Sequence, residues 1–453
     1  MEAEKDIIVA LELATSAIRA IAGQRMPDGT MQVLAYAEEN ASNCIRKGII
    51  DNIDKTTQAI SRVIGQIGLQ LGNTISRVYV GLSGQSLHSV QNKIHRHFNE
   101  KTQITNSLID QLMDTNSGVV YTDSEILEVI PQEYKVGNRA IPDVVGMQVE
   151  QMEANYLNII ARNCLAENID KCVKGAGYDI AELLITPLAL GDSILTPSEK
   201  RSGCALVDLG ADTTTVNVYT NNILRKMVVI PIGSNNVTLD IANCLNTEPE
   251  EAESLKIKYG RAHLEDYETA QHNIISLSHS REVNEERLCD IVEARVEEIL
   301  RNAWAQIEDD CDKLTSGIIF TGGGAQIRSL TEAFLLITNQ SRQIRIVKGH
   351  PTDIAIAPGI YVPDNGRANN ILALLLHGDQ NCIIVTNKDE GNETNFDTET
   401  NKANETLDTS DDPDTNNPNN KTEDEDEDEE IKAKQNRTRK FWDKIKDALS
   451  SEE

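Results

Sequence analysis

Two stretches of this 453-residue chain, about two hundred residues apart, follow one local plan, and that repetition limits the fold more than any other feature. The first is Ile8-Val9-Ala10-Leu11-Glu12-Leu13-Ala14-Thr15-Ser16-Ala17-Ile18. The second is Ala205-Leu206-Val207-Asp208-Leu209-Gly210-Ala211-Asp212-Thr213-Thr214. Each is an apolar run ending in an acid, then small residues and hydroxyls. This reads as a buried strand, a tight turn and a second strand. Such turns let backbone N–H groups and hydroxyls wrap phosphates, while the acid holds Mg2+ through water. Either unit alone is more simply an ordinary hairpin with a capped turn. A third element, Gly322-Gly323-Gly324, follows the buried run Ile318–Phe320 and precedes a predicted helix. Glycines there let backbone approach a ligand closely, and a helix N-terminus favours an anion. The order acid hairpin, acid hairpin, Gly triplet is far more specific than any of its parts.

The remaining segments read as α/β. Residues 6–26 and 31–38 alternate as strands around Pro27-Asp28-Gly29. Ile53, Thr57, Ile60, Ile64, Ile67 and Leu71 have helical spacing over Asn52–Leu71. Arg77–Leu82 reads as a strand, and residues 85–164 as a mixture of short strands and helices. Glu167–Gly175 reads as a helix, Leu183–Leu190 as a strand and helix start, and Ile223–Pro231 as a third strand after the second hairpin. Residues 235–310 read as mostly helical, with a charge-dense amphipathic helix over 281–301. Order is expected to fade after Gly378.

The formal charge of −29 is unevenly spread. Residues 388–430 hold 18 acids against 3 bases, a net of −15. Residues 431–453 hold 7 bases against 4 acids, a net of +3, which leaves −17 on the first 387 residues. This acidity argues against non-specific nucleic-acid binding, which needs a cationic footprint. No apolar run reaches the roughly 18 residues of a membrane-spanning helix. The charged start Met1-Glu2-Ala3-Glu4-Lys5-Asp6 lacks the basic start and long apolar region of a signal peptide, so the chain is expected in the cytoplasm. The eight cysteines contain no C-x-x-C pair and read as buried thiols rather than a zinc site or disulfide framework.

The region 388–430 is rich in Asn, Thr, Asp and Glu and reads as a disordered acidic tether. Its acidic run Glu423–Glu430 reads as a solvated spacer. Beyond it, Phe441, Trp442, Ile445, Ala448 and Leu449 fall on one helical face, flanked by Arg437, Lys440, Lys444 and Lys446. A basic, aromatic amphipathic helix after a long tether is the pattern of a helix lying in the membrane interface, attracted by anionic lipids. The competing reading is a helix that docks on the globular body or on a protein partner.

The two acid hairpins and the Gly triplet resemble the phosphate loops and adenosine loop of the actin-like ATPase superfamily. Within it, the chain resembles the bacterial cell division family FtsA over roughly residues 6–378. The supporting residues are Glu128-Val129-Ile130-Pro131-Gln132-Glu133-Tyr134, Pro231-Ile232-Gly233-Ser234-Asn235-Asn236-Val237-Thr238, Glu251-Ala252-Glu253-Ser254-Leu255-Lys256 and Ala357-Pro358-Gly359. The terminal tether and helix add a further match.

The resemblance implies an actin-like two-lobed fold of duplicated ribonuclease H-like domains with an FtsA-type extra subdomain. Residues 1–84 and 165–197 would form subdomain 1A, 85–164 subdomain 1C, 198–234 and 311–387 subdomain 2A, and 235–310 subdomain 2B. Residues 431–453 would be the membrane-targeting helix. ATP and Mg2+ are the implied cofactors. Thr15 and Ser16 would lie at the first phosphate loop; Asp208, Gly210, Asp212, Thr213 and Thr214 at the second, with Gly233 and Ser234 also at the nucleotide. Glu253 and Lys256 would face ribose and adenine, and Gly322, Gly323 and Gly324 the adenosine. Glu12 and Asp208 would serve the metal. Arg295 would contact the C-terminal peptide of FtsZ, and the extra subdomain would serve self-assembly.

Two departures stand out. The family's first loop usually reads Asp-x-Gly, where this chain has Glu12-Leu13-Ala14; its second usually has three glycines, where this chain has Gly210-Ala211-Asp212. They predict nucleotide binding with weak or absent hydrolysis. Three functions compete: a membrane-tethering adaptor for FtsZ at the division septum, a sugar kinase and a chaperone-like ATPase. A kinase gives no reason for the terminal helix, and a chaperone would need a folded peptide-binding domain after residue 380. The adaptor reading, with copies of itself, FtsZ, anionic lipids and other division proteins as partners, accounts for both ends of the chain.

Overall fold

The computed structural model describes residues 6–339 and 343–384. The predicted tether and terminal helix, with Arg437, Lys440, Phe441, Trp442, Lys444, Ile445 and Leu449, lie outside the described residues.

The chain opens as a meander of β1 (Ile7–Leu13), β2 (Ala17–Arg25) and β3 (Met31–Asn40). Every residue of β1 is buried, because this strand runs between two others and is covered on both faces; hence its continuous apolar run. The two-residue strands β4 (Ile45–Arg46) and β5 (Ile49–Ile50) form a small hairpin. Its turn residues Lys47 and Gly48 both have positive φ, 50° and 73°, the hand that matches strand twist. Helix α1 (Ile53–Leu71) buries Ile60, Val63, Ile64 and Ile67; Asn52 caps it by accepting from Lys55 N, and left-handed Gly72 ends it. Strand β6 (Arg77–Leu82) then pairs in parallel with β1.

An insert follows: β7 (His88–Gln103), α2 (Asn106–Ser117), β8 (Ser124–Val136), β9 (Arg139–Ile141) and β10 (Gln148–Arg162). The expected short strands are long ones, of 16, 13 and 15 residues for β7, β8 and β10. Polar residues on their open face hide the period-two pattern, while Val129, Tyr134, Met152 and Tyr156 build a separate small core. Helix α3 (Cys164–Gly175), strand β11 (Asp179–Ile185) and helices α4 (Thr186–Ile194) and α5 (Pro197–Ser202) complete the first half.

The second half repeats the plan with β12 (Cys204–Leu209), β13 (Thr214–Thr220) and β14 (Ile223–Ile230). Then come α6 (Ser234–Leu245), α7 (Pro249–Tyr259), α8 (Tyr267–His272), β15 (Ile274–Leu277), β16 (Arg281–Asn284) and α9 (Glu285–Trp304). So 235–310 is not uniformly helical. Residues 281–284 form a strand paired with 274–277, across a turn where His279 and Ser280 have φ of 61° and 55°. The helix expected from 281 starts at Glu285, capped by Asn284.

Strand β17 (Ile318–Thr321) leads into the Gly triplet. A single 3-10 turn over Gly323–Gln326 follows rather than the expected helix; α10 (Leu330–Thr338) begins only at Leu330. Strands β18 (Ile344–Ile346) and β19 (Ile354–Ile356) and helix α11 (Asn369–His377) close the body. Order continues past Gly378: Cys382 is buried and donates its N–H to Ile7 O, and Ile383 pairs with Ile75.

One sheet has the order β11-β6-β1-β2-β3-β19, the other β18-β17-β12-β13-β14-β7-β10-β8-β9. The meander and its parallel neighbours thus occur twice, giving two lobes. The insert joins the edge of the second sheet through one backbone pairing, Val228 with His88. Side chains reinforce that joint. Gln132 Nε2 donates to Leu224 O at 3.0 Å, and Arg225 pairs with Glu133 and donates to Gln132 Oε1 at 3.1 Å.

Candidate functional site

The loops that follow β1, β12 and β17 meet where the two lobes touch. Gly210 N donates to Thr213 O at 2.9 Å, closing the second acid hairpin on itself. The first turn of α6 packs against that loop. Ser234 N and Oγ donate to Gly210 O at 3.0 and 3.1 Å, and Asn235 N donates to Ala211 O at 2.7 Å. Gly233 fits so closely there that a Cβ would come 2.5 Å from Ala211 O. The Gly triplet lies on the same strand end. Gly322 has φ of 87°, and a Cβ on it would come 2.3 Å from Asp208 Oδ1. Gly324 abuts Leu209 O and the Ser234 side chain, whereas Gly323 is exposed beneath the Arg367 side chain.

The first hairpin reaches this place through the small β4–β5 turn. Thr15 Oγ1 accepts from Gly48 N at 3.1 Å, and Asp212 Oδ2 accepts from Lys47 N at 3.3 Å. The other Asp212 oxygen accepts from Asn235 Nδ2 at 2.8 Å. Asp212 therefore spans the lobes, a use of the extra acid that its position in a phosphate-loop motif does not suggest.

The two motif acids have different surroundings. Glu12 is buried and its Oε2 accepts from Arg19 Nη1 at 2.9 Å. Arg19 also donates to Ser16 Oγ at 3.3 Å and to Glu38 at 3.2 Å, and Arg367 approaches Glu38 at 3.9 Å. The charge of Glu12 is thus already balanced by the protein. Among the described residues, no cation hydrogen-bonds Asp208, whose side-chain donor is Asn370. Burial pushes its carboxyl up to about 6, a hydrogen bond from Asn370 opposes the rise, and the charge of Glu12 adds to it.

Two predicted residues turn inward. Thr214 is fully buried, and its hydroxyl donates to Ile232 O at 2.9 Å. Lys256 is buried behind the α6 turn, where its ammonium donates to Ser234 O at 3.1 Å and Thr238 Oγ1 at 2.8 Å and pairs with Glu253 at 2.6 Å. Burial lowers its pKa, and Glu253 partly offsets that. Arg295 lies elsewhere, on α9. It pairs with Asp240 of α6 at 2.5 Å and with Glu298.

Pattern reading did not single out Arg19, Lys47, Gly48, Asn369, Asn370 or Arg367 at this junction. The hairpin was accessible in Ile45-Arg46-Lys47-Gly48-Ile49-Ile50, a two-residue turn with isoleucines on either side. The asparagines carry no local signal, since α11 reaches the site only through tertiary packing. Asn369 Nδ2 donates to Thr321 Oγ1 at 3.0 Å and Asn370 Nδ2 to Asp208 Oδ2 at 3.1 Å; both Oδ1 atoms are buried without a partner. Oxygen donors of this type suit a hydrated magnesium ion. Asp208 and the neighbouring Asn370 oxygen fit such a group, whereas Glu12 is committed to Arg19.

A duplicated strand meander, apposed phosphate-type loops and a helical-and-stranded insert define a mixed α/β actin-like fold. Residues 205–361 match the profile of the cell division protein FtsA, and residues 84–160 that of the SHS2 domain inserted in FtsA. The chain is 30% identical over 341 residues to the cell division protein FtsA of Escherichia coli, covering 72% of this chain and 81% of that one. It is 32% identical over 340 residues to that of Enterococcus faecalis, covering 73% and 76%. Among solved structures, a PilM–PilN type IV pilus biogenesis complex superposes with a TM-score of 0.56 at 16% identity, covering 82% of this chain and 97% of that one, which bears on the fold alone. The chain belongs to the FtsA family of cell division proteins. Among the described residues, no helix is long and apolar enough to cross a membrane.

Proposed function

We propose that this chain binds ATP with Mg2+ where its lobes meet, assembles with copies of itself, and tethers FtsZ filaments to the cytoplasmic membrane at the division septum. The observation that carries the nucleotide reading is the convergence of Thr15, Asp212 and Gly322 from three separate loops with Ser234 from the first turn of α6. In this reading Thr15, Ser16 and the backbone of Gly210–Thr213 face the phosphates. Asp208 faces the hydrated ion, and Gly322–Gly324 with Glu253 face the adenosine. Mg2+, when bound, neutralises phosphate charge. Lys256 holds the α6 turn in place rather than touching the base, and Thr214 supports the sheet behind the loop. Slow hydrolysis belongs to this reading, because Arg19 already occupies the Glu12 carboxylate.

The adaptor part rests on family membership and on the basic, aromatic pattern of 437–449. The proposed subdomains are 1–84 with 165–197 and 354–384, 85–164, 198–234 with 311–346, and 235–310; the pairing of β19 with β3 and the packing of α11 on β1 support moving 354–384 to the first lobe, where the expected boundary of 311–387 had it in the second. The insert would serve self-assembly, and the α9 lobe would receive the FtsZ peptide. Arg295, which holds α9 to α6, would shape that surface rather than reach for the peptide. ATP binding only to the folded state raises stability by mass action, by about 2.7 kcal/mol at a hundredfold excess over Kd. A clear rise in Tm with millimolar MgATP is the expected result, and an unchanged Tm would sink the nucleotide reading.

A further inference from the structure

We propose that Asn370, at the start of α11, is a positioning residue for the divalent-cation side of the phosphate site: it orients Asp208 and offers its own buried oxygen to a water of the hydrated ion. The inference rests on the nucleotide reading above and names a residue that the loop motifs do not contain.

The orientation of the Asn370 amide follows from chemistry. Its nearest partner is an Asp208 carboxylate oxygen, which accepts and does not donate when ionised. The amide must therefore present Nδ2 to Asp208, and the opposite orientation would set two acceptors against each other. Oδ1 is left buried, beside Asp208, with no donor among the described residues. Native proteins rarely leave such an acceptor unpaired, so a water or an ion's hydration shell is the missing partner.

The placement also ties this group to the lobes. Asp208 and Thr321 are register partners on the adjacent parallel strands β12 and β17. Asn370 bonds the first and Asn369 the second. Helix α11 itself packs on β1, β2 and α4 of the first lobe. Two consecutive side chains of a first-lobe helix thus hold the two strand ends of the second lobe from which Asp208 and the Gly triplet project. Asn369 is the anchor of this pair, because the Thr321 hydroxyl can donate or accept and leaves its amide orientation open. Asn370 is the one whose free oxygen faces a defined direction.

The test is calorimetric titration of the full-length chain with ATP, once at saturating and graded Mg2+ and once in EDTA, for the wild type and Asn370→Ala. Outer-shell partners of metal sites typically change metal affinity by about 10- to 100-fold. The expected result is that Asn370→Ala raises the Mg2+ concentration needed for tight ATP binding by about tenfold or more, while ATP affinity in EDTA stays within about threefold of wild type. Asn370→Ser, which keeps a short polar group, is expected between the two and serves where the alanine variant folds poorly. Equal losses in Mg2+ and EDTA would mean that Asn370 only braces the lobes, and an unchanged Mg2+ response would mean that its oxygen meets an ordinary structural water; either overturns the inference alone. Absence of ATP binding by the wild type in both conditions would overturn the nucleotide reading, and the inference with it.

Discussion

Arg19 shows how one side chain can redefine a motif. Glu12 occupies the acid position of the first hairpin, yet its charge is spent on Arg19, buried on the next strand and register-paired with it. A buried pair of this kind repays its desolvation only while both members are present. Arg19→Ala is therefore expected to cost about 3–5 kcal/mol, read as a lower urea midpoint, because it leaves Glu12 buried and unpaired. The double change Glu12→Leu with Arg19→Met removes both charges and is expected to recover most of that loss. A single variant as stable as wild type would show that the pair contributes nothing. Lys256 makes the same point from the other side. It reads as a cation facing a ligand, but it completes the hydrogen bonds of the α6 turn.

Strand β8 explains the run Glu128–Tyr134 at the level of elements. Gln132 and Glu133 fasten the insert to β14, and Val129 and Tyr134 fill its core. Glu128 meets the first lobe instead. Burial, with the nearby charges of Asp192 and Glu182, pushes its carboxyl up to about 7 from the usual 4.5. The folded state then binds more protons than the unfolded one between those values, so this group lowers stability as pH rises from about 4.5 to about 7. Glu128→Gln removes the penalty. The variant is expected to melt about 2–4 °C above wild type at pH 7.5, with the gap closing near pH 4.5. A gap independent of pH would show that Glu128 does not titrate at this joint. In β7 and the first half of β10 one face is open and polar, so apolar residues recur too sparsely there to signal strands of this length.

Over the whole molecule, charge is divided between a body of −17, a segment of −15 and an end of +3. The body has no net attraction to an anionic surface, so membrane affinity would reside in 431–453, where each basic residue near the surface contributes about 1 kcal/mol. Removing 437–453 is expected to abolish co-sedimentation with vesicles containing anionic lipid. Raised salt is expected to weaken binding of the full chain. Retained sedimentation of the shortened chain would refute the anchor. The two lobes share a buried apolar core, and at the loops Asp212 with Lys47, Asn369 with Thr321 and Asn370 with Asp208 add hydrogen bonds between them.

Local pattern by itself determined the duplicated hairpins, the Gly triplet, helix α1 and strand β6, because strand, turn and glycine chemistry act over a few neighbouring residues. Arg77–Leu82 and Asn52–Leu71 were readable for that reason: their burial follows their own periodicity. Tertiary structure alone decided what each polar group is for. Glu12 became half of a buried ion pair, Asp212 a bridge, Lys256 a brace, and Asn370 a neighbour of Asp208 at a sequence distance of 162 residues. Hydrogen bonds and ion pairs form between whichever groups folding brings within about 3 Å, and sequence spacing carries no record of such partners when they lie on different elements.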